Sequence, residues 1–171
     1  SDTKNKALLV TGGTLTAIAD EAYELEEGGT KRASFSRGVE MFRGNVIVSG
    51  SGKLRAESVE EMAEATVMSN GLYISAGNLT VANSAEVAVA GAYAAYISGG
   101  SLRLDGGSLT AVSTQTADDN GNLGCAIDMD LNKQVADSGS ITVSGGTLET
   151  VNGYISMPTI GATGNQSLFT V

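Results

Sequence analysis

The chain has 171 residues, 42% of them hydrophobic and 17% charged, a composition that fits one folded domain and indicates neither disorder nor a membrane span. Its net charge is −9, and clustered lysine and arginine create affinity for phosphates, so a nucleic-acid partner is not expected. Histidine, the commonest general base and metal ligand, is absent, and the single Cys125 excludes an internal disulfide.

The N-terminal third already shows the pattern that runs through the chain, in which apolar residues come in pairs two positions apart. A spacing of two is typical of β-strands, with both members on one face. Glycine, asparagine, serine or aspartate separates the pairs. The pairs of this first third are Leu8/Val10, Leu15/Ala17, Val39/Met41, Val46/Val48 and Leu54/Ala56.

The pattern is clearest in residues 71–113, which hold two copies of one unit, LYISAGNLTVANSAEVAVA and AAYISGGSLRLDGGSLTAVS, that repeats after 22 or 23 residues. Three short strands and three corners in each repeat predict an all-β chain that forms a parallel coil. Later members of the pattern are Ile127, Ile141/Val143, Leu148/Thr150, Ile155 and Leu168.

We therefore predict a right-handed single-stranded parallel β-helix of about five coils, stacked roughly 4.8 Å apart. Right-handedness is the default for parallel crossovers. An antiparallel sandwich is the alternative, although tight hairpin signals such as Asn-Gly are few. Within the coil, one inward column is expected to contain Ile74, Ile97, Ile127 and Ile155. A second is expected to contain Val48, Val81, Leu104 and Val143.

Extra residues concentrate at one corner of the coil, between the third strand of one repeat and the first strand of the next. Residues 19–27 (ADEAYELEE) have a helical composition, and the sequence SVEE at 58–61 matches a helix capping box. The sequence thus predicts two short helical inserts along this edge. Leu9 and Ile47 are predicted to face outward beside each other, and we expect an inserted segment to cover them, with an exposed contact patch as the alternative.

The strings VTGGTL (10–15), ISGGSL (97–102) and VSGGTL (143–148) resemble the repeats of bacterial cell-surface parallel β-helix proteins. One family among these is described as carbohydrate-binding, with a pectate-lyase-like coil. The resemblance implies a secreted or surface-anchored bacterial domain, sugar binding and structural calcium. Because the chain starts at Ser1 with no signal peptide, we expect residues 1–171 to be one domain, either mature or excised from a longer surface protein.

Strand alternation predicts an outward column that contains Glu40, Tyr73, Tyr96, Ala126 and Tyr154. Exposed tyrosine rings stack on sugars and their hydroxyls bond to sugar hydroxyls, whereas the alternative is ordinary packing between strands. We predict that Tyr73 and Tyr96 lie side by side, and that Tyr154 follows two coils beyond Tyr96. The complete predicted ligand-binding set is Tyr73, Tyr96, Tyr154, Arg103 and Asp128.

A cluster of acidic residues provides a candidate calcium site. Asp118 and Asp119, with Asp128 close behind in the sequence, offer the oxygen ligands that calcium prefers. The spacing does not match an EF-hand, and a solvated polar turn is the alternative. Calcium is thus the one possible cofactor.

These features favour a non-catalytic carbohydrate-binding or adhesive module of a secreted or surface-exposed bacterial protein, with a polysaccharide or surface glycan as partner. A structural spacer without a ligand is the alternative, and a polysaccharide lyase or hydrolase is a third possibility. Arg55 and Arg103 lie on different predicted strands with no carboxylate cluster beside them, so we expect no enzyme activity.

Overall fold

The computed structural model describes residues 7–21, 23–27, 30–59, 67–115, 124–130, 139–157 and 168–170. All regular structure in these ranges is β-strand. The strands are β1 (Ala7–Val10), β2 (Thr14–Ala19), β3 (Tyr23–Glu27), β4 (Thr30–Phe42), β5 (Asn45–Val48), β6 (Lys53–Ser58), β7 (Val67–Ser75), β8 (Leu79–Val81), β9 (Glu86–Gly91), β10 (Tyr93–Ser98), β11 (Ser101–Ser113), β12 (Gly124–Asp130), β13 (Ser140–Val151), β14 (Gly153–Ser156) and β15 (Leu168–Thr170).

The strands form two sheets. Sheet A has the order β1-β5-β8-β11-β9-β6-β2, with β13 between β11 and β15, and sheet B has the order β14-β12-β10-β7-β4-β3. Of the strand pairs in the described ranges, β3 with β4 alone is antiparallel. From β4 onward the chain returns repeatedly from sheet B to sheet A. The prediction of an all-β chain built from parallel strands is confirmed, and the arrangement is consistent with a parallel β-helix.

A tight corner joins the two parts of sheet A. The first part of β11 pairs with β8 and its second part pairs with β9, so β11 contains both the second and the third strand of its repeat. Gly107 lies at the corner between them with φ at 71°. A Cβ atom at this position would also collide with the backbone oxygen of Ala85. Glycine is required here both for the left-handed backbone and for the close approach of the neighbouring repeat.

The core lies between the two sheets and consists of columns of apolar side chains. The predicted column of Val48, Val81, Leu104 and Val143 is confirmed, since these residues occupy matching positions in β5, β8, β11 and β13. Val48, Val81 and Leu104 are fully buried. Each contacts the repeat before and after it, which is how a solenoid buries a continuous core from short strands.

The other predicted column is wrong beyond Ile97. In the structure Ile127 pairs with Ala95, and Met129 pairs with Ile97, so the register of β12 differs from the prediction by two residues. Ile127 then pairs with Ile155 of β14. Apolar residues two positions apart satisfy the pattern in either register, and the length of the inserted segment before β12 decides between them.

The predicted helix at 19–27 is also wrong. Tyr23–Glu27 is strand β3, which pairs antiparallel with the first part of β4. Backbone pairing at the edge of sheet B overrides the helical propensity of alanine and glutamate. The second predicted helix falls largely on residues 60–66, outside the described residues, and Ser58 ends strand β6. In the described ranges there is no helix that could span a membrane.

Buried hydroxyl groups hold the corner where the predicted inserts leave the coil. Ser58 Oγ lies 2.7 Å from both Ser36 Oγ and Ser69 Oγ, and all three side chains are buried. The chain of hydrogen bonds joins β4, β6 and β7, so it satisfies polar groups that would otherwise be costly to bury.

Leu9 on β1 and Ile47 on β5 differ from the prediction in how far they are covered. Leu9 is 60% exposed, so the expected cover by an inserted segment is wrong for this side chain. Its neighbour Ile47 is half-buried. A single exposed leucine is common on protein surfaces.

Candidate functional site

The candidate site lies on the outer face of sheet B, which we call the tyrosine face. Five parallel strands follow one another across it in the order β4, β7, β10, β12 and β14, and each contributes one residue to an outward column. In strand order, the column consists of Glu40, Tyr73, Tyr96, Asp128 and Ser156.

The column differs from the predicted one in its last two members. Asp128 replaces Ala126, which is buried, and Ser156 replaces Tyr154. Tyr154 does lie two strands beyond Tyr96, as predicted, but it lies two residues before Ser156, which is the member of the column on β14. The same two-residue register difference in β12 explains both changes.

Tyr73 and Tyr96 form the centre of the tyrosine face, and their predicted side-by-side placement is confirmed. The two rings are stacked with their centroids 5.3 Å apart and an interplanar angle of 1°. This separation is close to the spacing of about 4.8 Å between neighbouring strands. The register of β7 and β10 thus brings the rings into direct contact.

Arg37 packs on Tyr73 from the β4 side. Its guanidinium carbon lies 3.6 Å from the centroid of the Tyr73 ring and 4.4 Å from that of Phe35, and it forms an ion pair with Glu40. Only 6% of the Arg37 side chain is exposed. Because β7 lies between β4 and β10, Arg37 and Tyr96 cover opposite faces of the Tyr73 ring. Tyr73 is consequently a packing residue.

We call this part of the tyrosine face, on β4 and β7, the upstream half. Its outermost aromatic side chain is Phe42, whose ring lies 5.8 Å from that of Tyr73 at an angle of 60°. Phe42 is 56% exposed. The guanidinium Nε of Arg37 is buried without a hydrogen bond, so the aromatic rings and Glu40 carry most of the compensation for its charge.

The downstream half of the tyrosine face lies on β10, β12 and β14. Tyr96 is the register partner of Asp128, and Asp128 is the register partner of Ser156. Tyr93 pairs with Cys125, which in turn pairs with Tyr154. Tyr96 therefore lies beside Asp128 on the neighbouring strand, and Tyr93 and Tyr154 lie on either side of Cys125, three residues before Asp128.

Tyr154 and Tyr93 differ in exposure. Tyr154 is 54% exposed, whereas Tyr93 is half-buried. Burial raises the pKa of Tyr93, and the nearby Asp128 and Tyr154 raise it further, which agrees with their common location. Tyr93 was not predicted as a site residue because it lies just before the second copy of the repeated unit, which begins at Ala94. The tyrosine spacing in AYAAY was the signal that could have identified it.

Cys125 lies between Tyr93 and Tyr154 in the strand register and is buried. Its thiol donates a hydrogen bond to the backbone oxygen of Ile127 at 3.2 Å. Burial, followed by the charge of Asp128, raises the pKa of Cys125 to about 11. The thiol is therefore neutral at physiological pH, and nucleophiles and metal ligands need the thiolate.

The remaining predicted binding residue, Arg103, does not join the tyrosines. It lies on the outer face of sheet A, where its Nε is 2.5 Å from Asp105 Oδ2. Asp105 also accepts a hydrogen bond from Ser144 Oγ at 2.5 Å, and the bonds from Arg103 and Ser144 lower the pKa of Asp105. Arg103 is thus held in a local surface network.

Of the three residues in the predicted calcium site, the structure describes Asp128 alone. Asp118 and Asp119 lie outside the described residues, and Asp128 belongs to the downstream half. The part of the chain that the structure describes contains no group of three or more acidic or cysteine side chains able to hold a metal ion.

Comparison of the chain with protein-family models, curated proteins and solved structures finds no match. The functional interpretation of the tyrosine face therefore depends on the side chains of this chain alone. The downstream half combines flat aromatic surfaces with a carboxylate and the hydroxyl of Ser156. These groups suit a ligand that has both an apolar face and hydrogen-bond donors, as sugars do.

Proposed function

We propose that the protein is a non-catalytic carbohydrate-binding or adhesive module of a secreted or surface-exposed bacterial protein, with a polysaccharide or surface glycan as its partner. Its platform is a right-handed single-stranded parallel β-helix of about five coils. The repeated return from sheet B to sheet A supports the helix, and the strong preference of parallel crossovers supports its handedness. Ligand binding is assigned to the downstream half of the tyrosine face.

One observation carries this proposal, namely the exposed ring of Tyr154 beside Asp128 and Ser156. An exposed tyrosine on an edge strand provides a stacking surface for a sugar ring, and it adds a polar hydroxyl. Asp128 and Ser156, one strand apart, supply hydrogen-bond acceptors and a donor for sugar hydroxyls. All three groups are carried by β-strands, so little flexibility is lost on binding.

A glycan array followed by calorimetry with the best ligand tests the proposal. Tyr154→Ala is expected to weaken binding by roughly 1–3 kcal/mol, because a central aromatic anchor is removed. Phe42→Ala is the matched control, since Phe42 is an almost equally exposed aromatic residue in the upstream half of the same face. It is expected to bind with unchanged affinity. Equal affinities for the two variants would contradict the assignment to the downstream half.

A structural spacer without a ligand is the second candidate. The covered ring of Tyr73 supports it, because this tyrosine on the same face of sheet B contributes to packing, with Arg37 and Tyr96 on the two faces of its ring. The spacer predicts that no glycan on the array binds. It also predicts that Tyr154→Ala changes neither binding nor stability.

A further inference from the structure

The chain contains three Asn-Gly pairs, the dipeptide in which an asparagine side chain most readily cyclises onto the next backbone nitrogen. Glycine favours this reaction because it has no Cβ atom to hinder the attacking nitrogen. Asn70-Gly71 and Asn152-Gly153 lie in the described ranges, whereas the pair at 120–121 lies outside them. The structure places the two described pairs in very different surroundings.

Asn152 is the single residue between β13, which ends at Val151, and β14, which begins at Gly153. Its side chain is exposed, and its backbone is left-handed, with φ at 56°. Asparagine tolerates this conformation better than most residues do, which explains its presence at the corner. An exposed side chain at a corner can rotate towards the nitrogen of Gly153 without opening a sheet.

Asn70 provides the comparison within the same molecule. It lies in β7 between its register partners Arg37 and Tyr93, and only 2% of the residue is exposed. Its Nδ2 donates a hydrogen bond to the backbone oxygen of Tyr93 at 3.1 Å. The backbone at Gly71 is also crowded, because a Cβ atom there would lie 2.4 Å from the backbone oxygen of Ala56. Cyclisation at Asn70 therefore requires local opening of sheet B.

We propose that Asn152 is a site of spontaneous deamidation beside the downstream half of the tyrosine face. The backbone nitrogen of Gly153 attacks Cγ of Asn152, the Cγ–Nδ2 bond breaks, and ammonia leaves with the proton of the attacking nitrogen. Because the reacting atoms belong to adjacent residues, this step is intramolecular. Water then opens the succinimide ring, at Cγ to give aspartate or at the backbone carbonyl carbon to give isoaspartate. One water enters and one ammonia leaves, with no change in oxidation state.

Isoaspartate changes the strand that carries Tyr154. The main chain then runs through Cβ and Cγ of residue 152, so the corner before β14 becomes one atom longer. β14 has four residues, and among the described strands it pairs with β12 alone. The longer corner therefore loosens β14, and either product adds a negative charge two residues before Tyr154. Weaker binding of a glycan by the modified chain follows as well, an effect that rests on the proposed function.

The experiment incubates the full chain at mildly alkaline pH and follows each Asn-Gly pair by digestion and mass spectrometry. Synthetic peptides of residues 149–156 and 67–74 give the rate of each pair without the fold. Asn152 in the folded chain is expected to react within about tenfold of its peptide, because its corner needs no opening of a sheet. Asn70 is expected to react at least about a hundredfold more slowly than its peptide, because sheet B must open first.

Asn152→Gly is the control, because glycine accepts the left-handed backbone and has no side-chain amide. Hydrogen exchange in β14 should become faster as the natural chain ages and should stay constant in this variant. Glycan binding by the same samples should fall with age in the natural chain alone.

An unreacted Asn152 in the folded chain, after its peptide has converted, would overturn the proposal. Equal rates at Asn152 and Asn70 would also overturn it, because they would indicate reaction through global unfolding. Faster exchange of β14 in the aged Asn152→Gly variant would show that isoaspartate does not cause the loosening. Mass spectrometry and hydrogen exchange need no ligand, so an absence of glycan binding would overturn the proposed function and leave the deamidation site in place.

Discussion

The upstream and downstream halves of the tyrosine face have the same backbone and similar residue types, but they use their aromatic rings differently. Tyr73 lies between Arg37 and Tyr96, so its ring is packing within the sheet. Tyr154, on the last strand of sheet B, remains exposed. Tyrosines on the same face of one sheet are therefore not equally accessible. The side chains on neighbouring strands decide whether a ring packs or is available to a ligand.

Arg37 accounts for most of this difference. Arg37 reaches Tyr73 from β4, and the first part of β4 also pairs with β3. The antiparallel extension of sheet B is therefore on the side of the upstream half, where the Tyr73 ring is covered. A buried guanidinium is tolerated only with compensation, and the rings of Phe35 and Tyr73 and the carboxylate of Glu40 supply it. The rings of Phe35 and Tyr73 in the upstream half therefore contact Arg37.

Both halves depend on one core, and breaking it gives the largest expected effect. Leu104→Ala should lower the free energy of unfolding by about 2–5 kcal/mol, because it leaves a cavity in a fully packed column. Denaturant titration measures the loss. Arg103→Ala, on the same strand with its side chain facing outward, is the control and should change stability by less than about 0.5 kcal/mol. Similar values for both variants would contradict the inward position of Leu104.

Removing one ring from each half tests whether the two rings differ in their contribution to packing. Tyr73→Ala should destabilise the protein by about 2 kcal/mol, since it removes a stacked pair and leaves the Arg37 guanidinium beside a cavity. Tyr154→Ala should change the unfolding free energy by less than about 0.5 kcal/mol, as for other exposed positions. Chemical denaturation of both variants measures the contrast. A larger loss for Tyr154→Ala would reverse the roles assigned to the two halves.

For the buried thiol of Cys125 we predict a smaller effect, a loss of stability at alkaline pH. Because the folded pKa of Cys125 is raised to about 11, its contribution to stability is complete below the unfolded pKa near ~8.5 and is lost as the pH rises through 11. Between roughly pH 8 and pH 9.5 this loss should be about 1 kcal/mol or less.

The measurement is the pH dependence of unfolding for the natural chain and for Cys125→Ala, which lacks the thiol. Titration of the tyrosines is common to both proteins, so the difference between the two curves reports Cys125. Parallel curves would show that the thiol ionises equally easily in the folded and unfolded states.

Calcium gives the smallest expected effect. Asp128 lies beside Tyr96 in the downstream half of the tyrosine face, so we expect the melting temperatures in millimolar calcium and in chelator to agree within about 1 °C. A ligand that binds only the folded state raises the melting temperature by mass action. A rise of several degrees would therefore favour the site predicted from Asp118, Asp119 and Asp128.

The sequence predicted the parts of the fold that depend on alternation. The column through Val81 and Leu104 followed directly from apolar pairs at a spacing of two. The register of β12 could not be derived in this way, because Ile127 and Met129 are both apolar and both fit the inward pattern. A long inserted segment before a strand removes the constraint that short corners impose on register.

The candidate site was predicted less well, for a related reason. Tyr73, Tyr96 and Asp128 were identified from composition and alternation, but the covering of Tyr73 depends on Arg37, which lies before the first apolar pair of its repeat, Val39/Met41. Likewise, the strand at Tyr23–Glu27 is decided by pairing with β4, which its local composition does not encode. Contacts between distant segments determined both results.

The antiparallel strand β3 has a consequence for the behaviour of the protein in solution. Among the described strands it is the outermost one of sheet B, and three of its five residues are glutamates. An edge strand is a template for pairing with other chains, and charged residues on such a strand oppose that pairing. Two molecules meeting at this edge would place like charges opposite each other, so β3 should protect a strand-rich protein from aggregation at the edge of sheet B.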